Sequence, residues 1–496
     1  MNIYGFSPFG YEGTLVAVEA DIRKGIPSVD IVGLADGFVK ESRERMKAAI
    51  TASGFDFPDG RVFLSLAPAD LKKEGAGFDL AMAMAVLDKQ TPVAHAMDAW
   101  LCHAELELSG KLRPVRGTYA ALETACQAGI TKAIVPASVP SGEIPDGITA
   151  YRVETLKQAR HIAILIDNGK IPEIPHYKSD GVEFPVDGDG TLDGIKDTAL
   201  LRAMMIAAAG RHHLLAVGKP GCGKTLALNH FAELLPELTA EESQEVRRIH
   251  SIAGLIGGNG SREAMLVSPF RMPHQTASIE GMCGGGAYCR PGEISLAHHG
   301  VLFLDDAAEF KTSVLQMLRV PLESGSVSLS RAGRTTVYPA QFQLLLAANP
   351  CPCGNYGEDG SLCLCSSRSV SQYWHKFTSP LIDRMAIRVH VTGDDDGTER
   401  LTLAEMREKI ALATATQRKR GAYNQHLSPH EIFSFCAMTD RARSELGKAW
   451  DISERAKSNV LRVARTIADL DGAGEIETGH IGEAIRLATW TLPEMM

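Results

Sequence analysis

The chain has 496 residues, a length typical of about three domains, and its 51 basic and 60 acidic residues give a formal charge of −9. This charge excludes a protein whose whole surface binds nucleic acid, although it allows a local basic surface such as a pore lining. The sequence shows no targeting segment, and no apolar run approaches the ~18 residues of a membrane-spanning helix. We therefore expect a cytoplasmic protein without a membrane segment, whose ten cysteines are reduced thiols or metal ligands.

The first predicted domain, residues 1–168, mixes β-like and helical patterns. Apolar spacing predicts strands at 29–32, 62–66 and 133–135 and helices at 40–53, 80–87 and 119–128. Residues 169–190 combine three prolines with a stretch of alternating Asp and Gly, which predicts a linker.

The second predicted domain, residues 191–393, alternates helices with very apolar strands. The expected elements are a helix at 198–209 and strands at 214–217, 301–304 and 342–347. Continuous apolar strands between helices are typical of a parallel sheet covered on both faces, so the predicted fold class is α/β. A last domain, residues 398–496, is predicted to be all-helical, with helices at 403–419, 440–449, 454–467 and 479–489.

Residues 218–225 match the phosphate-binding pattern G-x-x-x-x-G-K-[ST] in full, and they are Gly218, Lys219, Pro220, Gly221, Cys222, Gly223, Lys224 and Thr225. The segment follows a predicted strand and begins a predicted helix at 225–235, which is the context that a P-loop requires. Glycines let backbone N–H groups face phosphates, the lysine neutralises the β and γ phosphates, and the threonine hydroxyl ligates Mg²⁺. We expect ATP and Mg²⁺ to bind here.

Two acids end the apolar strand at 301–304. Asp305 is the expected Mg²⁺ ligand, and Asp306 is the residue expected to orient or deprotonate the attacking water. Most ATPases of this kind have Glu at the second position, and a carboxylate set back by ~1 Å can lower a rate on the order of 100-fold. Glu309 is either a compensating carboxylate or an acid at a helix start. Asn349 ends the next apolar strand and is either a sensor of the γ-phosphate or a turn residue before proline.

Two arginines follow in the order that an oligomeric ATPase needs. Arg384 lies after the sheet, where it can reach a neighbouring subunit's ATP as an arginine finger. Arg455 begins a helix of the last domain, where it can reach the γ-phosphate of its own chain. The alternative for each is a solvated surface residue.

Four cysteines lie within fifteen residues: Cys351, Cys353, Cys363 and Cys365. Four thiolates suit a closed tetrahedral Zn²⁺ site, although the C-x-C spacing is tighter than that of common zinc motifs. The two interpretations are a structural zinc site and a loop with reduced thiols.

Several long strings resemble the magnesium-chelatase-like AAA+ ATPases, and among them the ComM/YifB competence protein family. These strings are residues 30–36, 40–46, 66–75, 269–274, 284–286, 290–298, 349–354 and 463–470. The resemblance implies a hexameric ring, a helicase-like motor that migrates DNA branches, and a role in integrating DNA during natural transformation. It also implies Asn349 as first sensor, Arg384 as finger in trans and Arg455 as second sensor.

The sequence departs from the family pattern at the nucleotide site. Asp306 replaces the usual Glu, Lys219 replaces a Pro, and Lys196 and Asp197 stand where a Gly-Gln pair frames the adenine. The first domain resembles the proteolytic domain of Lon protease (a ribosomal S5 domain 2-like fold), yet no Ser lies near residues 75–77 and the base position falls near Tyr119. We therefore expect a scaffold or a nucleic-acid collar and no peptidase chemistry.

A strand–turn–strand pattern at residues 327–337 carries Arg331 and Arg334 at its tip. It is either a pore hairpin that contacts DNA phosphates or an ordinary solvated hairpin. Three functions remain open: a DNA motor, a protein-remodelling or chelatase-type ATPase, and an ATP-binding ring with weak hydrolysis.

Overall fold

The computed structural model describes residues 2–33, 37–69, 73, 75–92, 99–170, 172, 197–255, 266–331, 333–357, 362–393, 402–448 and 453–490. Most of the predicted linker at 169–190, together with Lys196, lies outside the described residues.

The first part of the chain forms an α/β unit around a mixed sheet. Its elements are β1 (Asn2–Ser7), β2 (Thr14–Arg23), β3 (Ser28–Val32), α1 (Gly37–Ala52), β4 (Arg61–Ala67), α2 (Asp79–Gln90), β5 (Ala99–Cys102), β6 (Glu105–Leu106), β7 (Leu112–Arg113), α3 (Thr118–Gln127), β8 (Lys132–Pro136), β9 (Thr149–Val153) and α4 (Leu156–Asp167). Seven strands form the sheet in the order β3-β4-β2-β1-β5-β8-β9. Helix α2 is buried on every side from Asp79 to Leu87, as its apolar residues all round predict.

Helices cover both faces of this sheet. Residues of α1, α2 and α4 share one apolar cluster with the sheet, and residues of α3 share another. The predicted strands and helices of this region are confirmed, whereas the sequence did not predict β1, β2, β5 or β9.

The second part of the chain is built on a parallel sheet. Its elements are α5 (Thr198–Gly210), β10 (Leu214–Gly218), α6 (Lys224–Asn229), α7 (Ala240–Ala253), β11 (Phe270–Arg271), α8 (Ile279–Cys283), β12 (Gly284–Gly285), β13 (Arg290–Pro291), α9 (Glu293–Leu296), β14 (Val301–Leu304), α10 (Thr312–Met317), α11 (Arg319–Ser324), β15 (Ser326–Arg331), β16 (Arg334–Pro339), β17 (Gln343–Ala348), α12 (Ser367–Trp374), α13 (Thr378–Ile382) and β18 (Ile387–Val391). Five strands form the sheet in the order β11-β14-β17-β10-β18, and every neighbouring pair is parallel. Apolar clusters lie on both faces, so the predicted covered parallel sheet is confirmed.

The helix after the phosphate loop is shorter than the predicted 225–235. Helix α6 ends at Asn229 and a 3₁₀ helix, His230–Leu234, continues the chain. Leu235 is extended (φ −72°, ψ 138°) because it precedes Pro236, and proline disfavours helical geometry in the preceding residue.

The last part of the chain is helical, as predicted. It contains α14 (Leu403–Arg420), α15 (Pro429–Phe435), α16 (Asp440–Lys448), α17 (Glu454–Leu470) and α18 (Thr478–Thr489). These helices share one apolar cluster with α5 and one face of the parallel sheet. Asp469 accepts hydrogen bonds from Arg420 (2.6 Å) and Arg465 (3.0 Å), and His212 is bonded to Thr466 at 2.7 Å, so residues of the 463–470 string hold the helical domain together.

Helix α7 joins the first domain to the parallel-sheet domain. Arg248 donates to the Glu123 carboxylate (2.6 Å) and to the Tyr11 carbonyl (2.8 Å), and Ile252 packs in the apolar cluster around α3. No helix in the described ranges is long and apolar enough to cross a bilayer.

Candidate nucleotide-binding site

Three polar segments meet at the carboxyl edge of the parallel sheet. The phosphate loop follows β10, Asp305 follows β14, and Asn349 follows β17. Val217 pairs with Ala348, and Leu304 pairs with Leu346, so the three strand ends lie side by side. The carboxyl ends of parallel strands are where α/β proteins bind ligands.

The geometry of the phosphate loop requires glycine at three positions. A Cβ at Gly218 would lie 2.1 Å from the Val391 carbonyl oxygen, so only glycine lets the loop start against β18. Gly221 and Gly223 have φ of 79° and 93°, which is left-handed geometry that glycine adopts without strain. None of the described residues has an atom within 4 Å of a Cβ built at either of the latter two positions, so the loop has space beside it that fits a phosphate group.

Lys224 is buried against its own loop. Its ammonium group donates to the carbonyls of Gly218 (2.7 Å) and Lys219 (2.9 Å) and to Asn349 Oδ1 (3.4 Å). The Cys222 sulfur lies 3.6 Å from the same nitrogen. The positive charge is therefore held at the sheet edge, beside the predicted sensor.

The two acids lie beside the loop with different partners. Thr225 Oγ1 donates to Asp305 Oδ1 at 3.0 Å, so the two predicted Mg²⁺ ligands are adjacent. Asn349 Nδ2 donates to Asp306 Oδ1 at 3.5 Å. Burial and the neighbouring Asp305 carboxylate raise the pKa of Asp306, while Lys224 opposes the rise. Glu309 is exposed in a 3₁₀ helix, Ala307–Glu309.

Arg384 and Arg455 converge on one carboxylate, that of Glu323 in α11. Arg384 is buried and bonded to Glu323 and to the Pro380 carbonyl. The exposed Arg455 donates to the same Glu323 oxygen at 2.8 Å. The sequence suggested opposite roles, one in a neighbour's site and one in the arginine's own chain, but the structure makes these arginines one cluster.

The four cysteines form a compact thiol cluster. The Cys351 sulfur lies 3.3 Å from that of Cys353 and 3.7 Å from that of Cys363, and Cys353 and Cys363 are 3.6 Å apart. The sulfur of Cys365 completes a set that lies within 4.8 Å of one another. Zn–S bonds of about 2.3 Å in a tetrahedron place sulfurs about 3.8 Å apart, so these residues fit a zinc ion.

Asp197 acts in the structure as a cap. Its carboxylate accepts from Leu200 N (2.8 Å) at the start of α5 and from Thr392 N (2.9 Å) after β18. It therefore joins the first helix to the last strand of the ATPase sheet.

Packing occupies the positions where a Lon-type dyad would lie. A Cβ at Gly77 would lie 2.6 Å from the buried His103 ring, and the Arg247 guanidinium lies 4.2 Å from the centre of the Tyr119 ring. Burial lowers the pKa of His103 to about 4, so this imidazole is neutral at pH 7. The absence of peptidase chemistry in this domain stays a prediction.

The predicted hairpin is present as β15 and β16. Arg331 is exposed, but the Arg334 guanidinium lies 3.4 Å from the centre of the Phe9 ring in the first domain. Thr336 is buried and accepts from Tyr11 N at 2.9 Å. The hairpin is therefore docked on the first domain along its second strand.

Sequence reasoning missed two positions. Glu323 lies in a short helix that carries no recognisable motif. Its importance becomes visible from its ion pairs with Arg384 and Arg455. Gly354 lies in the cysteine loop, where a Cβ would be 2.3 Å from Pro220 Cδ of the phosphate loop. The C-P-C-G string was visible, but its contact with the phosphate loop was not.

Fold and site together define an AAA+ ATPase. Family models of the magnesium chelatase subunit ChlI match residues 193–398 and 18–139, and a model of the ChlI C-terminal region matches 401–488. The chain is 37% identical over 478 residues to an uncharacterised protein of Mycobacterium tuberculosis, covering 93% of each chain. It is 35% identical to the competence protein ComM of Haemophilus influenzae (97% of this chain, 96% of ComM) and 35% identical to YifB of Escherichia coli (96% and 94%).

The chain therefore belongs to the ComM/YifB family of magnesium-chelatase-like AAA+ ATPases. Membership of the AAA+ class implies binding of ATP and Mg²⁺.

Proposed function

We propose that this chain is an ATP-hydrolysing hexameric motor that acts on DNA, as a branch-migration helicase that aids integration of DNA during natural transformation. The observation that carries the proposal is the convergence of Lys224, Thr225, Asp305, Asp306 and Asn349 at one sheet edge. Near full-length similarity to a competence protein supports the choice of DNA as substrate. The ring and the DNA contact are part of the proposal.

Each residue has a stated role in the proposed reaction. Lys224 and the loop N–H groups would hold the phosphates, and Thr225 and Asp305 would hold Mg²⁺, which supplies positive charge to the reaction when bound. Asp306 accepts a proton from the attacking water, and Asn349 positions Asp306 and Lys224. Arg384 and Arg455 stabilise the charge of the transition state from an adjacent subunit.

We further propose that the four cysteines hold a structural Zn²⁺ ion. The sulfur separations of 3.3–3.7 Å between Cys351, Cys353 and Cys363 support this proposal. One zinc ion per chain, measured on purified protein, is the expected result.

The test of the motor is DNA-stimulated ATP hydrolysis by the full chain and by its Lys224→Ala variant. We expect branched or single-stranded DNA to stimulate the native protein severalfold, and the variant to lose ATP binding and turnover because its phosphate contact is gone. Stimulation by a partner protein and none by DNA would support the second candidate, a protein-remodelling or chelatase-type ATPase, which the ChlI family models favour.

A further inference from the structure

The loop that carries the cysteines also touches the phosphate loop. Gly354 is buried with φ 82°, and a methyl group there would lie 2.3 Å from Pro220 Cδ and 2.7 Å from Pro220 Cγ. The contact joins two segments that are far apart in the chain. Any movement of Gly354 therefore acts directly on the backbone that surrounds the phosphates.

The base of the cysteine loop is held by the core. Cys351 is fully buried in the apolar cluster under the sheet, and the Trp374 indole donates to the Pro350 carbonyl at 2.9 Å. Cys363 and Cys365 pack against the same cluster. These anchors fix the loop at both ends, next to Asn349.

Cys353 and Gly354 lie between the two anchored ends of the loop. Cys353 is exposed, and its sulfur lies next to the sulfurs of Cys351 and Cys363. Gly354 donates its N–H to the Cys351 carbonyl at 3.0 Å. Thiols are weak hydrogen-bond donors and acceptors, whereas bonds to a metal ion fix ligand positions, so a metal ion would add a constraint at Cys353, directly before Gly354.

We propose that Zn²⁺ in the cysteine site sets the affinity for nucleotide, because it holds Gly354 against Pro220 and thereby shapes the phosphate loop. The inference rests on the zinc site proposed above. Thermodynamic linkage requires the reverse effect: nucleotide binding strengthens zinc binding by the same factor, typically about 5- to 150-fold for coupled sites.

Two glycines of this loop provide a matched pair of variants. Gly354 and Gly357 both have positive φ (82° and 73°), so alanine introduces similar backbone strain at either position. Among the described residues, Pro220 lies next to a Cβ at Gly354, whereas none has an atom within 4 Å of a Cβ at Gly357. The pair therefore separates loss of the Pro220 contact from strain in the loop.

The experiment measures zinc content and the dissociation constant of a fluorescent ATP analogue with Mg²⁺, using the full chain. We expect both variants to keep one zinc ion, Gly354→Ala to bind the analogue at least about 5-fold more weakly, and Gly357→Ala to bind it as the native chain does. Cys353→Ser is expected to lose zinc and to weaken nucleotide binding similarly, while its far-UV circular dichroism stays native.

The outcomes separate the two proposals. A native chain that neither contains nor takes up zinc would overturn both the zinc site and the coupling. Zinc-loaded Gly354→Ala that binds the analogue with native affinity, or Cys353→Ser that loses zinc without losing affinity, would overturn the coupling alone.

Discussion

Asp306 combines an unusual backbone with an unusual side chain for its position. Its φ of 44° and ψ of 51° are left-handed, a geometry that costs a non-glycine residue on the order of 1–3 kcal/mol. The turn is held because Asp306 N donates to Asp305 Oδ1 (3.0 Å) and Glu309 N donates to the Asp306 carbonyl (2.7 Å). This turn brings the short carboxylate to Asn349, where a longer Glu is usual in the family.

The raised pKa of Asp306 predicts the acid side of the rate profile. A proton acceptor must be ionised, so kcat/KM, which reports the free enzyme, falls as the pH drops through the raised pKa of Asp306, which lies above the ~3.9 of a free aspartate. Hydrolysis rates of ATP between pH 4.5 and 8 check this expectation, over the range where circular dichroism shows the native fold.

Two variants test the same residue. Asp306→Asn should lose the acid limb and about 10²–10⁴-fold in rate, because the amide accepts no proton. If the rate of Asp306→Asn still falls at low pH, the titration belongs to another group. Asp306→Glu tests whether a side chain longer by one methylene reaches the attacking water better. A large gain in turnover would favour the third candidate function, an ATP-binding ring with weak hydrolysis.

Among the elements, the β15–β16 hairpin carries two arginines with different surroundings. Arg331 is exposed at the tip, whereas Arg334 lies over Phe9. Cation–π contacts of this kind contribute about 0.5–2 kcal/mol. The hairpin is thus attached to the first domain and presents Arg331 outward.

This difference predicts separate effects of two substitutions. Arg331→Ala should reduce DNA stimulation of ATP hydrolysis and leave the unstimulated rate and the melting temperature unchanged, because the side chain is exposed and the contact proposed for it is with a DNA phosphate. Arg334→Ala should lower the melting temperature by a few degrees because it loses the Phe9 contact. Titrations with branched DNA and thermal melts distinguish them, and equal DNA stimulation in native protein and Arg331→Ala would exclude the tip as a DNA contact.

At the scale of the whole molecule, Glu323 makes Arg384 and Arg455 a single group. Arg384 follows the sheet and Arg455 begins α17 in the helical domain, so the ion pairs connect the two domains. Both arginines bind the same oxygen atom, and we expect them to serve the same nucleotide site. In a ring with head-to-tail interfaces, that site belongs to the adjacent subunit.

Mixed rings test this expectation. Lys224→Ala and Arg384→Ala should each be inactive alone, but co-expression should restore about a quarter of native ATP hydrolysis, because random assembly pairs an intact phosphate loop with an intact arginine at that fraction of interfaces. Arg455→Ala should complement Lys224→Ala in the same way. If Arg384→Ala complements Lys224→Ala but Arg455→Ala does not, Arg455 acts at the nucleotide site of its own chain.

Features that depend on residues close together in the chain could be predicted from the amino-acid sequence. The parallel sheet, the helical last domain and the segments ending in Lys224, Asp305 and Asn349 follow from apolar strands and from motifs a few residues long, since strand, loop and helix geometry are local. The carboxyl ends of parallel strands lie at the same edge of a sheet, so the approach of these three segments could also be predicted. The roles of these residues in hydrolysis stay predictions.

Contacts between residues far apart in the chain could be identified from the folded structure but not from the sequence. Glu323 between two arginines, Gly354 on Pro220, Arg334 on Phe9 and Asp197 on Thr392 join segments separated by tens to hundreds of residues. Such contacts depend on how the packed elements bring side chains together, and apolar periodicity records which face of an element is buried but not what lies against it.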